Sequence, residues 1–208
     1  MQKSARGVCL AMAAGLLAIH GAGAEPYRHA PTGIVFPDRL AGLEKKADIT
    51  DFEPDYPGFG ISVGYNGPGI TVTVYLYTLG IKRIPAGPDS SILKEELQHA
   101  EGDITTMEER GSYANVKKIS EGKAPLNVNG SGPVALYAYY RYTQNGKSRV
   151  SYLYLTGFRN HFLKIRFTYD KDVRLTAERT RIQFLEEFSR ILGAGAEETP
   201  KQEVPAPK

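Results

Sequence analysis

An α+β domain is the fold class this sequence predicts: an antiparallel sheet of about six to seven strands packed with two main helices. Three observations carry that reading. Alternating apolar rows recur along the chain, many of them joined by tight turn signals such as Asn66-Gly67-Pro68-Gly69 and Asn145-Gly146. Two other stretches show four-three spacing, the mark of an amphipathic helix. Consecutive strands joined by short turns, with helices set between and after them, describe an antiparallel sheet and not a parallel one. No repeat of fixed period is present.

The chain opens on a different kind of segment. Lys3 and Arg6 supply a positive start, and Val8 to Ile19 is an unbroken run of apolar and small residues, too short for a stable bilayer span. Ala22-Gly23-Ala24 then provides the small-x-small pattern that a signal peptidase reads. Residues 1–24 are therefore expected to be a cleaved export signal, with periplasm as the expected address and the extracellular space as the other. Cys9, the only cysteine, leaves with that segment. It sits near the start of the apolar run, where a lipid-anchor cysteine would not stand. The exported chain would thus depend on its core alone.

The remainder is expected to be a single α+β domain over residues 25–192 and a disordered tail over 193–208, since the tail has no apolar period. The whole chain carries 26 Lys+Arg against 23 Asp+Glu. Without Lys3 and Arg6 the net charge is about +1, which gives no general attraction to nucleic acid or anionic lipid. No second apolar run is long and charge-free enough to cross a membrane.

In order, residues 25–31 form a polar lead-in, and Thr32 to Phe36 is a short strand stopped by Pro37. Ala47 to Glu53 is a further strand candidate. Phe59, Ile61, Val63 and Tyr65 alternate, and Ile70, Val72, Val74 and Leu76 form the next apolar row. Asp89, Ser90 and Ser91 are all suited to cap a helix whose stripe is Leu93, Leu97, Ala100, Ile104 and Met107, with Gly102 inside it and Gly111 beyond. A strand follows at Tyr113 to Ile119, then Val134 to Thr143, Ser148 to Gly157 and Phe162 to Tyr169. Thr176 is the expected cap of a last helix in which Ile182, Leu185, Phe188 and Leu192 face one way.

The start of the chain, the strand running into Phe36-Pro37 and the tyrosine-rich hairpins resemble a widespread group of uncharacterised exported bacterial proteins, notably over Phe36 to Leu40, Gly58 to Leu79 and Ser151 to Arg166. The element order is similar to the PsbP/Mog1-like sandwich fold. The first resemblance carries no catalytic motif and implies no activity.

Asn145-Gly146 is a type I′ hairpin signal, and a two-residue turn there sets the register. Leu136 then opposes Leu155 and Ala138 opposes Leu153, while Tyr137, Tyr139 and Arg141 oppose Tyr154, Tyr152 and Val150 on the other face. For the next turn, near Arg159 to His161, polarity favours a three-residue loop. That places Leu163, Ile165 and Phe167 with the leucines and Lys164 and Arg166 beside the tyrosines. From Gly122 through Tyr169 there is no Asp or Glu, whereas the helix after Asp89 is acidic through Glu95, Glu96, Glu101, Asp103, Glu108 and Glu109. The expected ligand-binding face is Tyr137, Tyr139, Arg141, Tyr152, Tyr154, Lys164 and Arg166. Its partner would be an anionic or glycan molecule: an envelope polymer, an anionic lipid headgroup or an envelope protein. The competing reading is internal: tyrosines suit strands, and the acidic helix lies over the cations.

Catalytic chemistry finds little support. His29, His99 and His161 are far apart, so no zinc motif is present. Asp51, Glu53 and Asp55 resemble the start of a calcium loop, but Pro54 and Pro57 interrupt it. Gly58, Gly60 and Gly64 lie in a strand pattern with no helix start to receive a phosphate, and Gly130-Ser131-Gly132 lacks a nucleophile elbow's spacing. Asn129-Gly130-Ser131 matches a glycosylation acceptor, incidental in a bacterial export setting. Catalytic residues, metal and cofactors are each expected to be none, and export argues against nucleic acid. The reading as a non-enzymatic envelope module has one rival, a periplasmic hydrolase with a cleft near His161 or Asp51. Intact-mass analysis of the protein from an envelope fraction should give a chain beginning at Glu25; a mass that retains Met1, or a lipid on Cys9, contradicts the export reading.

Overall fold

The computed structural model describes residues 25–127, 130 and 132–194. Strands β1 (Tyr27–His29) and β2 (Ile34–Phe36) form a small hairpin. There follow β3 (Arg39–Leu40), β4 (Leu43–Lys45), β5 (Thr50–Asp51), β6 (Ile61–Gly67) and β7 (Ile70–Tyr77). Helix α1 (Ser91–Glu109) leads to β8 (Ala114–Pro125), β9 (Val134–Gln144), β10 (Lys147–Phe158) and β11 (His161–Asp170), and α2 (Arg174–Ala194) closes the fold. Nine strands make one antiparallel sheet in the order β3-β4-β6-β7-β11-β10-β9-β8, with β5 also pairing β6.

The α+β class and the two helices are as expected, and the sheet has more strands. The additions in the main sheet are short: β3 and β4 have two and three residues, too few for a period to show. The lead-in contains β1, so Thr32 to Phe36 does not join the main sheet; its strand part pairs Tyr27 with Phe36 instead. Ala47 to Glu53 reduces to β5. Phe59 falls outside β6 and is exposed.

Helix α2 lies on one face of the sheet. Phe184 and Phe188 are fully buried against Tyr65, Phe36 and Phe167, with ring centroids 5.7–6.2 Å apart. Ala177, Leu185 and Leu192 complete its buried side. Thr176 is not a cap: a 3-10 turn, Lys171–Val173, runs straight into the helix at Arg174. Ile182 is exposed, because it stands nearly opposite Phe184 around the helix and the larger ring takes the core. Gly193 and Ala194, expected in the tail, end α2; the rest of that tail and residues 1–24 lie outside the described residues, as do Asn129 and Ser131.

Helix α1 lies on the other face, with Leu93, Ala100 and Ile104 buried and Leu97 and Met107 half-buried. Ser90 is its cap, its side chain accepting from the Leu93 amide at 3.3 Å. Gly102 does not interrupt it.

The first hairpin register is as read: Tyr137 pairs with Tyr154, Tyr139 with Tyr152, Leu136 with Leu155 and Ala138 with Leu153. Asn145 and Gly146 both have positive φ, 51° and 74°. The second register is not. Arg159 and Asn160 take φ of 46° and 61° in a two-residue turn that pairs Leu155 with Lys164, Leu153 with Arg166 and Tyr154 with Ile165. Lys164 and Arg166 therefore share the leucine face under α1. Leu163, Ile165 and Phe167 join the tyrosine face under α2. Polarity misled because both faces are covered: burial offers apolar neighbours to either alternate row, and the turn decides.

Asn160 then pins the loop before α1, its Oδ1 accepting from the Ile84 amide at 2.8 Å and its Nδ2 donating to the Lys82 carbonyl at 3.1 Å. Leu155 is fully buried between Leu93, Leu136 and Phe162. Its truncation to Ala should cost about 2–5 kcal/mol in urea unfolding.

Candidate functional site

The seven residues expected to form one binding face are divided between two. Tyr137, Tyr139, Arg141, Tyr152 and Tyr154 share the α2 side; Lys164 and Arg166 lie on the α1 side. On the α2 side Tyr152 and Tyr154 are engaged by the helix. Tyr139 and Tyr152 stack at 4.6 Å, and the Arg181 guanidinium lies 4.3 Å over the Tyr152 ring. Arg181 also donates to the Tyr154 hydroxyl at 2.7 Å. Glu178 accepts from Tyr152 at 3.0 Å, from Tyr169 at 2.5 Å and from Arg181 at 2.8 Å. Burial works against the Glu178 charge, yet these donors hold its carboxyl below the usual range. Arg141 is exposed, donating to the Tyr139 hydroxyl at 2.9 Å. Around Tyr152 and Tyr154 this side of the sheet is a helix-packing surface. Neither Glu178 nor Arg181 was foreseen as its cover; the acidic helix in fact lies over the opposite face, where Glu101 accepts from Tyr140 at 2.7 Å and bonds Lys118 at 3.2 Å.

Arg166, under α1, donates to the Tyr113 hydroxyl at 3.1 Å, and Tyr113 stacks on Tyr142 at 4.2 Å. Lys164 has a different setting. It lines an open cleft of about 360 Å³ with Phe52, Phe59, Tyr75, Tyr77, Leu79, Glu96, His99 and Asp103. Its Nζ lies 4.9 Å from the centroids of both Tyr75 and Tyr77. Desolvation pulls its pKa below the usual lysine value, against the opposing pull of the Glu96 and Asp103 charges.

Three pieces of chain build this cleft. Strands β7 and β11 pair Lys164 with Tyr75 and Phe162 with Tyr77 and supply its floor. Helix α1 supplies one wall: Glu96, His99 and Asp103 recur along one flank at helical spacing. Glu96 is buried and accepts from the Tyr77 hydroxyl at 2.5 Å, and His99 Nδ1 stands 3.8 Å from its second oxygen. Burial and that carboxylate push the Tyr77 hydroxyl well above the usual phenol range.

The loop 52–60 supplies the lip. The Glu53 carboxylate accepts from the amides of Gly58 and Gly60 at 2.9 Å each. The Gly58 carbonyl accepts from the amides of Thr78 and Leu79 at 2.9 and 2.7 Å. Gly58 has φ of 91°, and a Cβ there would meet the Gly80 nitrogen at 2.5 Å, so only glycine lets the two backbones approach. This bracing holds Tyr56 and Phe59 in water, 61% and 55% exposed, with rings 5.8 Å apart. Large exposed rings beside a cavity are the usual sign of a binding surface. Two of the three residues read as a false calcium loop, Asp51 and Glu53, thus act on backbone, with Asp51 accepting from the Glu53 amide at 3.0 Å.

His161, named for the rival hydrolase, lies at a hairpin turn with its Nδ1 2.9 Å from the Arg159 carbonyl, edge-on to His29 at 5.5 Å. The aromatic cleft is built from other residues. The cleft was not foreseen, because its walls come from α1 and from the loop around Phe52 and Phe59, and strand alternation carries no record of where these meet Lys164. The spacing of residues 96, 99 and 103 was the signal that could have pointed to it.

The fold and site define an antiparallel sheet clothed by one helix on each face, with an aromatic cleft at the edge of one helix. No family model matches the chain, and the comparison with curated proteins finds no match. Among solved structures the chain is similar to the cyanobacterial PsbP of Synechocystis, at 12% identity over 82% of this chain and 95% of that one, with a TM-score of 0.47. It is also similar to a Pseudomonas aeruginosa protein of unknown function, at 13% identity over 88% and 97%, with a TM-score of 0.36.

The network on the α2 side makes a direct test of its structural role. Glu178→Ala removes the acceptor of two phenols and one guanidinium and should cost about 1–3 kcal/mol in urea unfolding. Arg141→Gln, on the same face, should leave the melting temperature unchanged.

Proposed function

We propose that the protein is an exported envelope module that binds a glycan in the aromatic cleft under α1. The observation that carries the reading is the pairing of exposed aromatic walls with a small set of convergent polar groups in one open cavity. A pyranose ring has the matching form: its axial C–H face is apolar and its rim is hydroxyl. Phe59 and Phe52 offer ring faces, Glu96 and Asp103 offer acceptors for hydroxyls, and Lys164 offers a donor at the floor.

The same inventory weighs against a purely anionic ligand. Two carboxylates face the cavity that holds Lys164, so the site lacks the unopposed positive field that a phosphate, a lipid headgroup or a nucleic-acid backbone needs. The glycan half of the expected partner class fits better, and an envelope polymer is its natural source. Export rests on residues 1–24, with Lys3, Arg6 and the Ala22-Gly23-Ala24 pattern. Among the described residues, no helix is long and apolar enough to cross a membrane.

Titration calorimetry with peptidoglycan-derived disaccharides, lipopolysaccharide and anionic vesicles tests the reading. Binding is expected to the disaccharides and to weaken about tenfold, near 1.4 kcal/mol, in Phe59→Ala. Because Phe59 is exposed, that variant should keep its melting temperature. Heat with vesicles alone, or with none of the three, removes the glycan reading, and a cleaved disaccharide replaces binding by hydrolysis.

A further inference from the structure

We propose that Lys164 is a reactive amine, capturing the carbonyl carbon of a small aldehyde or ketone that enters the aromatic cleft and holding it as an imine. This is an activity beyond ligand capture. It requires only that the cleft admit a carbonyl compound, so it stands or falls separately from glycan binding.

Lys164 differs from other lysines of the chain in its surroundings. Lys118, Lys123 and Lys147 stand toward solvent, each paired with a carboxylate. Lys45 is buried and donates to the Lys46 carbonyl at 3.3 Å. Lys164 is half-buried and, among the described residues, closes no ion pair; its Nζ lies between two tyrosine rings at the floor of an open cavity. An amine nucleophile needs both features: access for a substrate and a setting that disfavours its protonated form.

The groups around it pull in both directions. Desolvation by the sheet and the α1 wall disfavours the ammonium, and Arg166 on the same strand adds to that. Glu96 and Asp103 from α1 favour the ammonium, as do the ring faces of Tyr75 and Tyr77 from β7. Desolvation is the largest of these influences, so more neutral amine is present at a given pH than on an exposed lysine.

The step balances without a redox partner. The Nζ lone pair attacks the carbonyl carbon, a C–N bond forms, and the C=O π pair moves to oxygen. One proton passes from nitrogen to that oxygen, giving a carbinolamine. A second proton on the hydroxyl lets it leave as water while the nitrogen lone pair closes the C=N bond, and the resulting protonated imine returns that proton to the group that supplied it. His99 and Asp103 line the same cavity and are placed to carry those protons. The aromatic walls suit a carbonyl carried on a ring or a short apolar chain.

The test uses the mature chain with benzaldehyde as probe and cyanoborohydride to lock any imine as a secondary amine, followed by peptide mapping by mass spectrometry. The expected result is a first adduct on Lys164, ahead of every exposed lysine, with a half-maximal rate at a lower pH than theirs. Lys164→Arg should lose that adduct and keep the slow labelling elsewhere. Should the Arg variant fail to fold, the pH–rate profile of the unaltered chain decides alone. Lys164 left unmodified, or modified at the pace or with the pH profile of the exposed lysines, overturns the proposal.

Discussion

From Val150 onward on β10, and along all of β11, every side chain is at least partly buried against protein, because α2 covers one face of the sheet and α1 the other. An antiparallel sheet with one wet face sorts its residues by polarity. Here that sorting is suspended, and polar side chains on the strands are satisfied by the helices. Glu178 and Arg181 reach down to Tyr152, Tyr154 and Tyr169; Glu96 and Glu101 reach down to Tyr77 and Tyr140. Each buried phenol thereby keeps a partner, as a buried hydroxyl must if it is not to destabilise the core.

The same constraint creates the cleft. Helix α1 is long enough to cover the sheet centre, but the loop 52–60 is braced away from it by Glu53 and by the close approach of Gly58 to the end of β7. The gap between helix and loop is left lined by rings from both sides of the cavity. Lys164 arrives at its floor because β11 is in the register that puts it beside Tyr75. A one-residue slip would place Leu163 or Ile165 there and Lys164 beneath α2.

The turn at Arg159-Asn160 is thus the small element with the widest consequences. Its two left-handed residues set the pairing of β11, which decides which cations meet which helix. Asn160 also ties the loop before α1 to the hairpin through Ile84 and Lys82, so the turn places the helix wall of the cleft as well. Asn tolerates the left-handed region better than most residues, and it carries both of those side-chain bonds.

The sequence by itself determined the α+β class, both helices with most of their buried stripes, and the register of the Asn145-Gly146 hairpin. These are local matters: period, capping chemistry and a turn whose residues require positive φ. It also placed five of the seven expected site residues on one face. Only the tertiary structure decided what that face meets. Whether Tyr152 and Tyr154 look into water or at Glu178 and Arg181 depends on where a helix 26 and 27 residues further along the chain docks, and alternation along a strand carries no record of that. The two- and three-residue strands β3 and β4 were out of reach because they are too short for a period to show, and the cleft lip because it is held by backbone contacts with the end of β7. Lys164 shows the limit most clearly. Its residue type was legible, but its chemistry depends on desolvation and neighbours that exist only after β7, β11 and α1 have come together.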